Sequence, residues 1–111
     1  MTTLTAAELR VLDAIDEDAL VREVIDLIRV PSVTGTDAES DLQHRHAAHL
    51  RELGFDVDAW KIDLAEISAH PDYPGAEAPR TEGYGLVGSI GPDGTPALVL
   101  QGHVDVVPTG D

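Results

Sequence analysis

The hydrophobic period of this chain changes at Gly54. Upstream of it, apolar residues recur three and four apart, as one face of a helix requires. Downstream they alternate or run together, as in strands. Thr5-Ala6-Ala7-Glu8 has the form of a capping box, with Leu4 and Leu9 placed as a hydrophobic staple. A second helix start falls at Asp16 or Asp18 and leads into Leu20, Val21, Val24, Ile25, Leu27 and Ile28. Pro31 ends that helix, because the residue before a proline avoids helical angles, and Ser32 to Thr36 reads as a loop. A third helix is predicted over 38–53, with Leu42, Ala47, Leu50 and Leu53 inward and Gly54 just past its C-terminus.

Beyond Gly54, Phe55, Val57 and Ala59 alternate with Asp56 and Asp58, the pattern of a half-buried strand whose phase slips at Trp60. Residues 64–82, with Pro71, Pro74, Gly75 and Pro79, read as a long surface loop. Two further strands are predicted, 84–90 and 96–101, joined by Gly91-Pro92-Asp93-Gly94. The run Ala97-Leu98-Val99-Leu100 does not alternate, which predicts a strand buried on both faces. Helices preceding strands, one of them central, make an α/β layered domain the expected class.

The charge is −14 over 111 residues, and it is spread along the chain: 14 acids and 6 bases in residues 1–63, then 7 and 1 in 64–111. Such a surface repels phosphate backbones and anionic headgroups, so neither a nucleic acid nor a membrane is an expected partner. The absence of cysteine removes disulfides, thiolate zinc sites and cysteine nucleophiles. MTTLTAAELR has neither a basic n-region nor an apolar h-region, and the longest run of large apolar residues is Leu98–Leu100, so a cytoplasmic location is expected.

Three candidate sites are weak. Gly83-Tyr84-Gly85-Leu86-Val87-Gly88 matches GxGxxG, but a proline-rich loop precedes it and Gly91-Pro92 comes after, where a dinucleotide site needs a strand and then a helix. A glycine-rich strand is the better reading. His44, His46 and His49 suggest a metal, yet on a helix only His46 and His49 share a face and no acid completes a set. Asp56-x-Asp58 opens like a calcium loop, but Lys61 and Ile67 stand where glycine and glutamate are required.

The segment after the apolar run is richer. In extended chain, residues two apart point to the same side, so His103 and Asp105 face one way while Val104 and Val106 face the core. A metal-bound histidine usually has a carboxylate on its other nitrogen, a role open to Asp105. The location also fits, because α/β sheets place their sites beyond the carboxyl ends of strands. A hydrogen-bonded His–Asp pair that merely caps a strand satisfies the same spacing.

GHVDVVPTGD, residues 102–111, resembles the first metal-site motif of the acetylornithine deacetylase / succinyl-diaminopimelate desuccinylase family. That family belongs with the aminoacylases and glutamate carboxypeptidases among dinuclear zinc metallohydrolases. Val30-Pro31-Ser32-Val33-Thr34-Gly35, Leu53-Gly54-Phe55 and the stretch from Trp60 to His70-Pro71 extend the resemblance across residues 16–111. Where the family often has an asparagine at a strand start, this chain reads Tyr84-Gly85-Leu86-Val87.

The resemblance implies that His103 ligates one of two zinc ions, with cobalt a possible substitute, and that Asp105 orients that ligand in catalysis. It implies a small N-acyl amino acid or short peptide as substrate, and a homodimer only through a domain absent here. It further implies a zinc-peptidase-like layered domain, with helices packed on a central mixed β-sheet, of which residues 1–111 are the N-terminal portion. The bridging aspartate, glutamate pair, further acidic ligand and distant histidine of the family come after this motif. Two ions held about 3.5–4 Å apart need many ligands, and zinc sites use at least three from protein. The 111-residue chain alone is therefore expected to be inactive and marginally stable, with Leu98–Leu100 lacking strand neighbours on one side. The alternatives are a metallopeptidase or aminoacylase of the same clan, or a non-catalytic remnant or acidic binding module.

Overall fold

The computed structural model describes residues 3–110. The chain divides into two compact units, Met1–Val30 and Pro31–Asp111.

The first unit holds α1 (Ala6–Asp13) and α2 (Glu17–Ile28). Both begin where the capping residues dictate. The Thr5 hydroxyl accepts from the Glu8 amide, and the Glu8 carboxylate accepts from the Thr5 amide at 2.6 Å. Asp16 accepts from the Ala19 amide at 2.8 Å. Each bond satisfies a first-turn amide that has no partner within the helix. Neither helix buries a residue, and the apolar stripe of α2 is exposed.

The second unit is built on α3 (Asp37–Glu52), β1 (Asp56–Lys61), α4 (Leu64–Ala69) and β2 (Tyr84–Ser89). β1 and β2 form a two-stranded antiparallel sheet in register from Asp56↔Ser89 to Lys61↔Tyr84. α3 packs on both strands and contributes the buried Leu42 and Ala47. Gly54 takes φ +87° beyond the C-cap Leu53, the left-handed conformation that closes many helices.

The glycines of β2 are explained by packing. A Cβ at Gly85 would collide with the Trp60 indole, and one at Gly88 would stand 3.0 Å from Leu50 Cδ1 and 3.3 Å from Phe55 Cδ1. The glycine-rich segment is thus a strand over which a large ring and the end of α3 lie close.

Four expectations need correction. Leu53, expected inward, is exposed at the helix end. The stretch 64–82 is not all loop, because Asp63 caps the short helix α4 by accepting from the Ala65 and Glu66 amides at 3.0 Å each. Residues 96–101 form no strand, and Leu98, Val99 and Leu100 are 73%, 72% and 86% exposed. A non-alternating run is buried only in a sheet covered on both faces, and among the described residues these join no sheet. The α/β class stands at the level of four helices and a two-stranded sheet, but the central mixed sheet is not formed among these residues. Their only parallel pairing is an isolated bridge, Val33↔Val106. No helix of the described residues is long and apolar enough to cross a membrane.

Candidate functional site

The bridge between Val33 and Val106 positions the candidate chemistry. Thr34 N donates to Val106 O at 3.1 Å, and Val106 N donates to Ser32 O at 2.9 Å. Two hydroxyls reinforce this pairing. Ser32, which is buried, donates from Oγ to Val104 O at 2.7 Å, and Thr34 donates from Oγ1 to Asp105 Oδ2 at 2.7 Å. Ser32 and Thr34 flank the bridged Val33, so both hydroxyls reach the same neighbouring segment. The chain then turns sharply at Gly35, which has φ +84° and where a Cβ would strike Pro79 O. Glu39 in the first turn of α3 accepts from Gly35 N at 2.6 Å and from Arg80 Nη1 at 3.2 Å, which ties the turn to the helix.

His103 and Asp105 meet as the spacing predicts. His103 Nδ1 stands 3.0 Å from Asp105 Oδ1 and 3.0 Å from the Asp105 carbonyl oxygen. Both partners can only accept, so Nδ1 carries the proton. In neutral histidine the other nitrogen, Nε2, is then left with a free lone pair. The imidazole is largely exposed while the carboxylate is mostly covered. The Asp105 carboxyl is held below its ordinary range, chiefly by the Thr34 hydroxyl bond and also by His103, with burial opposing both. A carboxylate that stays ionised and gripped on one oxygen is suited to orient the ring bonded to its other oxygen.

Val104 is half-buried as expected, but Val106 is 47% exposed and does not face a core. Residues 32–34 cover only one edge of this segment, which accounts for the difference. The last residue of the GHVDVVPTGD motif, Asp111, lies outside the described residues.

The other candidates disperse. His44 stacks edge-on against Tyr84 at 4.4 Å between ring centroids. His49 Nδ1 lies 3.9 Å from Glu52 one turn on, and burial lowers the pKa of His46, with Arg45 and His49 adding to the effect. Among the described residues, no group of three or more His, Cys, Asp or Glu is arranged to hold a metal ion. A groove of about 590 Å³ lies between β1 and α4, lined by Trp60, Ile67, His70 and Tyr73 among others, and includes neither His103 nor Asp105.

Ser32 and Thr34 are not legible from sequence as part of the site. Their period-two spacing after Pro31 is the available signal, but their partners lie 72 and 71 residues away.

The local structure is thus a two-segment clasp presenting one oriented imidazole on an α/β unit. Comparison with known proteins adds a relationship. The chain is similar to a succinyl-diaminopimelate desuccinylase from Methylobacterium radiotolerans, with 39% identity over 95 residues, covering 85% of this chain and 20% of the relative. It therefore spans about a fifth of the length of the curated relative it matches. No family model and no solved structure matches the chain.

Proposed function

We propose that residues 1–111 are the N-terminal portion of the catalytic domain of a metal-dependent amidohydrolase that deacylates N-acyl amino acids. The observation that carries this reading is the His103–Asp105 pair: Nδ1 is held on a carboxylate, which leaves Nε2 free to take a metal ion. The similarity to a desuccinylase supports the same chemistry and directs attention to N-succinyl substrates, beside the N-acetyl ones that the resemblance to deacetylases implies.

The donor set fits one corner of a zinc site and no more. His103 would supply one nitrogen to the ion, and Asp105 would hold that ring in place. When bound, a pair of zinc ions would activate water for attack on the amide carbonyl. Within this chain, Asp105 keeps the His103 proton on Nδ1, and residues 32–34 hold Asp105. The remaining ligands and the general base belong to other parts of the layered domain, and a cytoplasmic setting and dimerisation through a separate domain complete the proposal.

One imidazole cannot retain an ion, so the 111-residue chain by itself is predicted to show no turnover of N-acyl amino acids with added zinc. The decisive assay uses the product of the complete reading frame with N-succinyl and N-acetyl amino acids. His103→Ala should abolish activity and lower bound zinc together, and Asp105→Ala should reduce activity or metal affinity about 10- to 100-fold. Full activity in His103→Ala would overturn the proposal.

The net charge of −14 suits a second reading, a non-catalytic acidic module. In that case the complete product would hydrolyse none of these substrates, and His103→Ala would leave its folding and binding unchanged.

A further inference from the structure

We propose that Thr34 is a positioning residue that sets the tautomer of His103 by fixing which oxygen of Asp105 the imidazole meets. This assignment rests on the hydrolase reading for its purpose, although its geometry is independent of it. Thr34 has one hydroxyl proton and two acceptors within reach: Asp105 Oδ2 at 2.7 Å and Val106 O at 3.4 Å. The shorter contact, to the charged oxygen, takes the proton. With Oδ2 occupied, Oδ1 is the oxygen turned to His103 Nδ1 at 3.0 Å.

The terminal torsion of an aspartate is broad, so an unheld carboxylate swings about its Cβ–Cγ bond. Without the hydroxyl, His103 Nδ1 would retain only the neutral Asp105 carbonyl as a constant partner. A bond to a neutral oxygen is about half as strong as one to a carboxylate. The preference for the Nδ1–H form weakens accordingly, and Nε2, the nitrogen to be offered outward, becomes protonated part of the time. The hydroxyl is not needed for the pairing of the two segments. That pairing stands on the backbone bonds Thr34 N to Val106 O and Val106 N to Ser32 O, and on the Ser32 hydroxyl. Positioning and scaffolding can therefore be separated.

The test is imidazole nitrogen NMR on the 111-residue chain at about pH 9, where histidine is neutral. Wild type should show His103 predominantly as the Nδ1–H tautomer. Thr34→Val should lower the Nδ1–H to Nε2–H ratio about two- to tenfold, the effect of one hydrogen bond's modest net strength. Thr34→Ser should restore the wild-type ratio. Protection of the Val106 amide from exchange should be equal in all three, which a purely structural role for Thr34 would not predict.

A wild-type ratio in Thr34→Val, with Val106 still protected, overturns the proposal. Should the valine variant lose that protection, the wild-type hydroxyl proton decides. Slowed exchange and a correlation to Asp105 support the assignment, and free exchange like that of an exposed threonine defeats it. In the complete product, Thr34→Val should lower kcat, with serine rescuing it. Absence of any hydrolysis there, alongside the expected tautomer shift, would sink the hydrolase reading and leave the Thr34 assignment standing.

Discussion

Glu82 shows how single contacts set the chemistry of this chain. Its carboxyl is held below the ordinary range, first by the Lys61 ammonium and then by the Ser40 hydroxyl, with Tyr84 adding a weaker bond. Lys61 Nζ lies 3.3 Å and Tyr84 Oη 3.2 Å from Glu82 Oε2. A depressed folded pKa means the contribution to stability is present above the unfolded value, about 4.3, and is lost as pH falls through the folded value. Lys61→Gln should raise the Glu82 pKa toward the ordinary range and shrink that acid window, as read by carboxyl carbon NMR across the titration. No change in the titration midpoint would show that the ammonium is not its main partner. Contacts at this scale also decide how much of the candidate site is legible in the sequence. His103 and Asp105 are two apart in extended chain, so sequence spacing alone brings their side chains together. Thr34 reaches Asp105 from 71 residues away, a contact that no local period encodes.

Among the elements, caps are legible and neighbours are not. Thr5 with Glu8, Asp16 and Gly54 each act within one turn of chain, and the helices begin and end beside them. α4 is hidden because Pro71, Pro74 and Pro79 dominate its surroundings, although Asp63 caps it in the same local way. Residues 97–100 mislead for the converse reason: an apolar run shows what its residues would bury against a partner, not that a partner is present. The glycine pattern of β2 has a packing cause that can be tested. Gly85→Ala places a methyl group in the Trp60 ring and should destabilise the second unit by about 1–3 kcal/mol, the usual cost of overpacking. Trp60 is the single tryptophan, so its fluorescence in a denaturant titration reports directly on the site. Gly102→Ala, where a Cβ meets nothing within 4 Å, serves as the control and should change the midpoint little. Equal effects from the two variants would refute the packing account.

For the chain as a whole, net charge and exposed apolar surface oppose each other. A charge of −14 on 111 residues keeps copies apart at low ionic strength, where the Debye length is about 30 Å at 0.01 M. Screening shortens that reach to about 3 Å at 1 M and leaves hydrophobic attraction largely unopposed. Leu98, Val99 and Leu100 form a continuous exposed apolar run in a segment whose backbone makes no sheet pairing among the described residues, the condition under which extended chain recruits another strand. The 111-residue chain should therefore sediment as a monomer in dilute buffer and associate progressively as salt rises. Leu98→Asp with Leu100→Asp should abolish that association, since it removes the apolar surface and adds charge where copies would meet. Salt-driven association that persisted unchanged in the double variant would exclude this run as its cause. The contact would then have to be sought on the exposed stripe of α2, where Leu20→Asp with Val24→Asp makes the equivalent test.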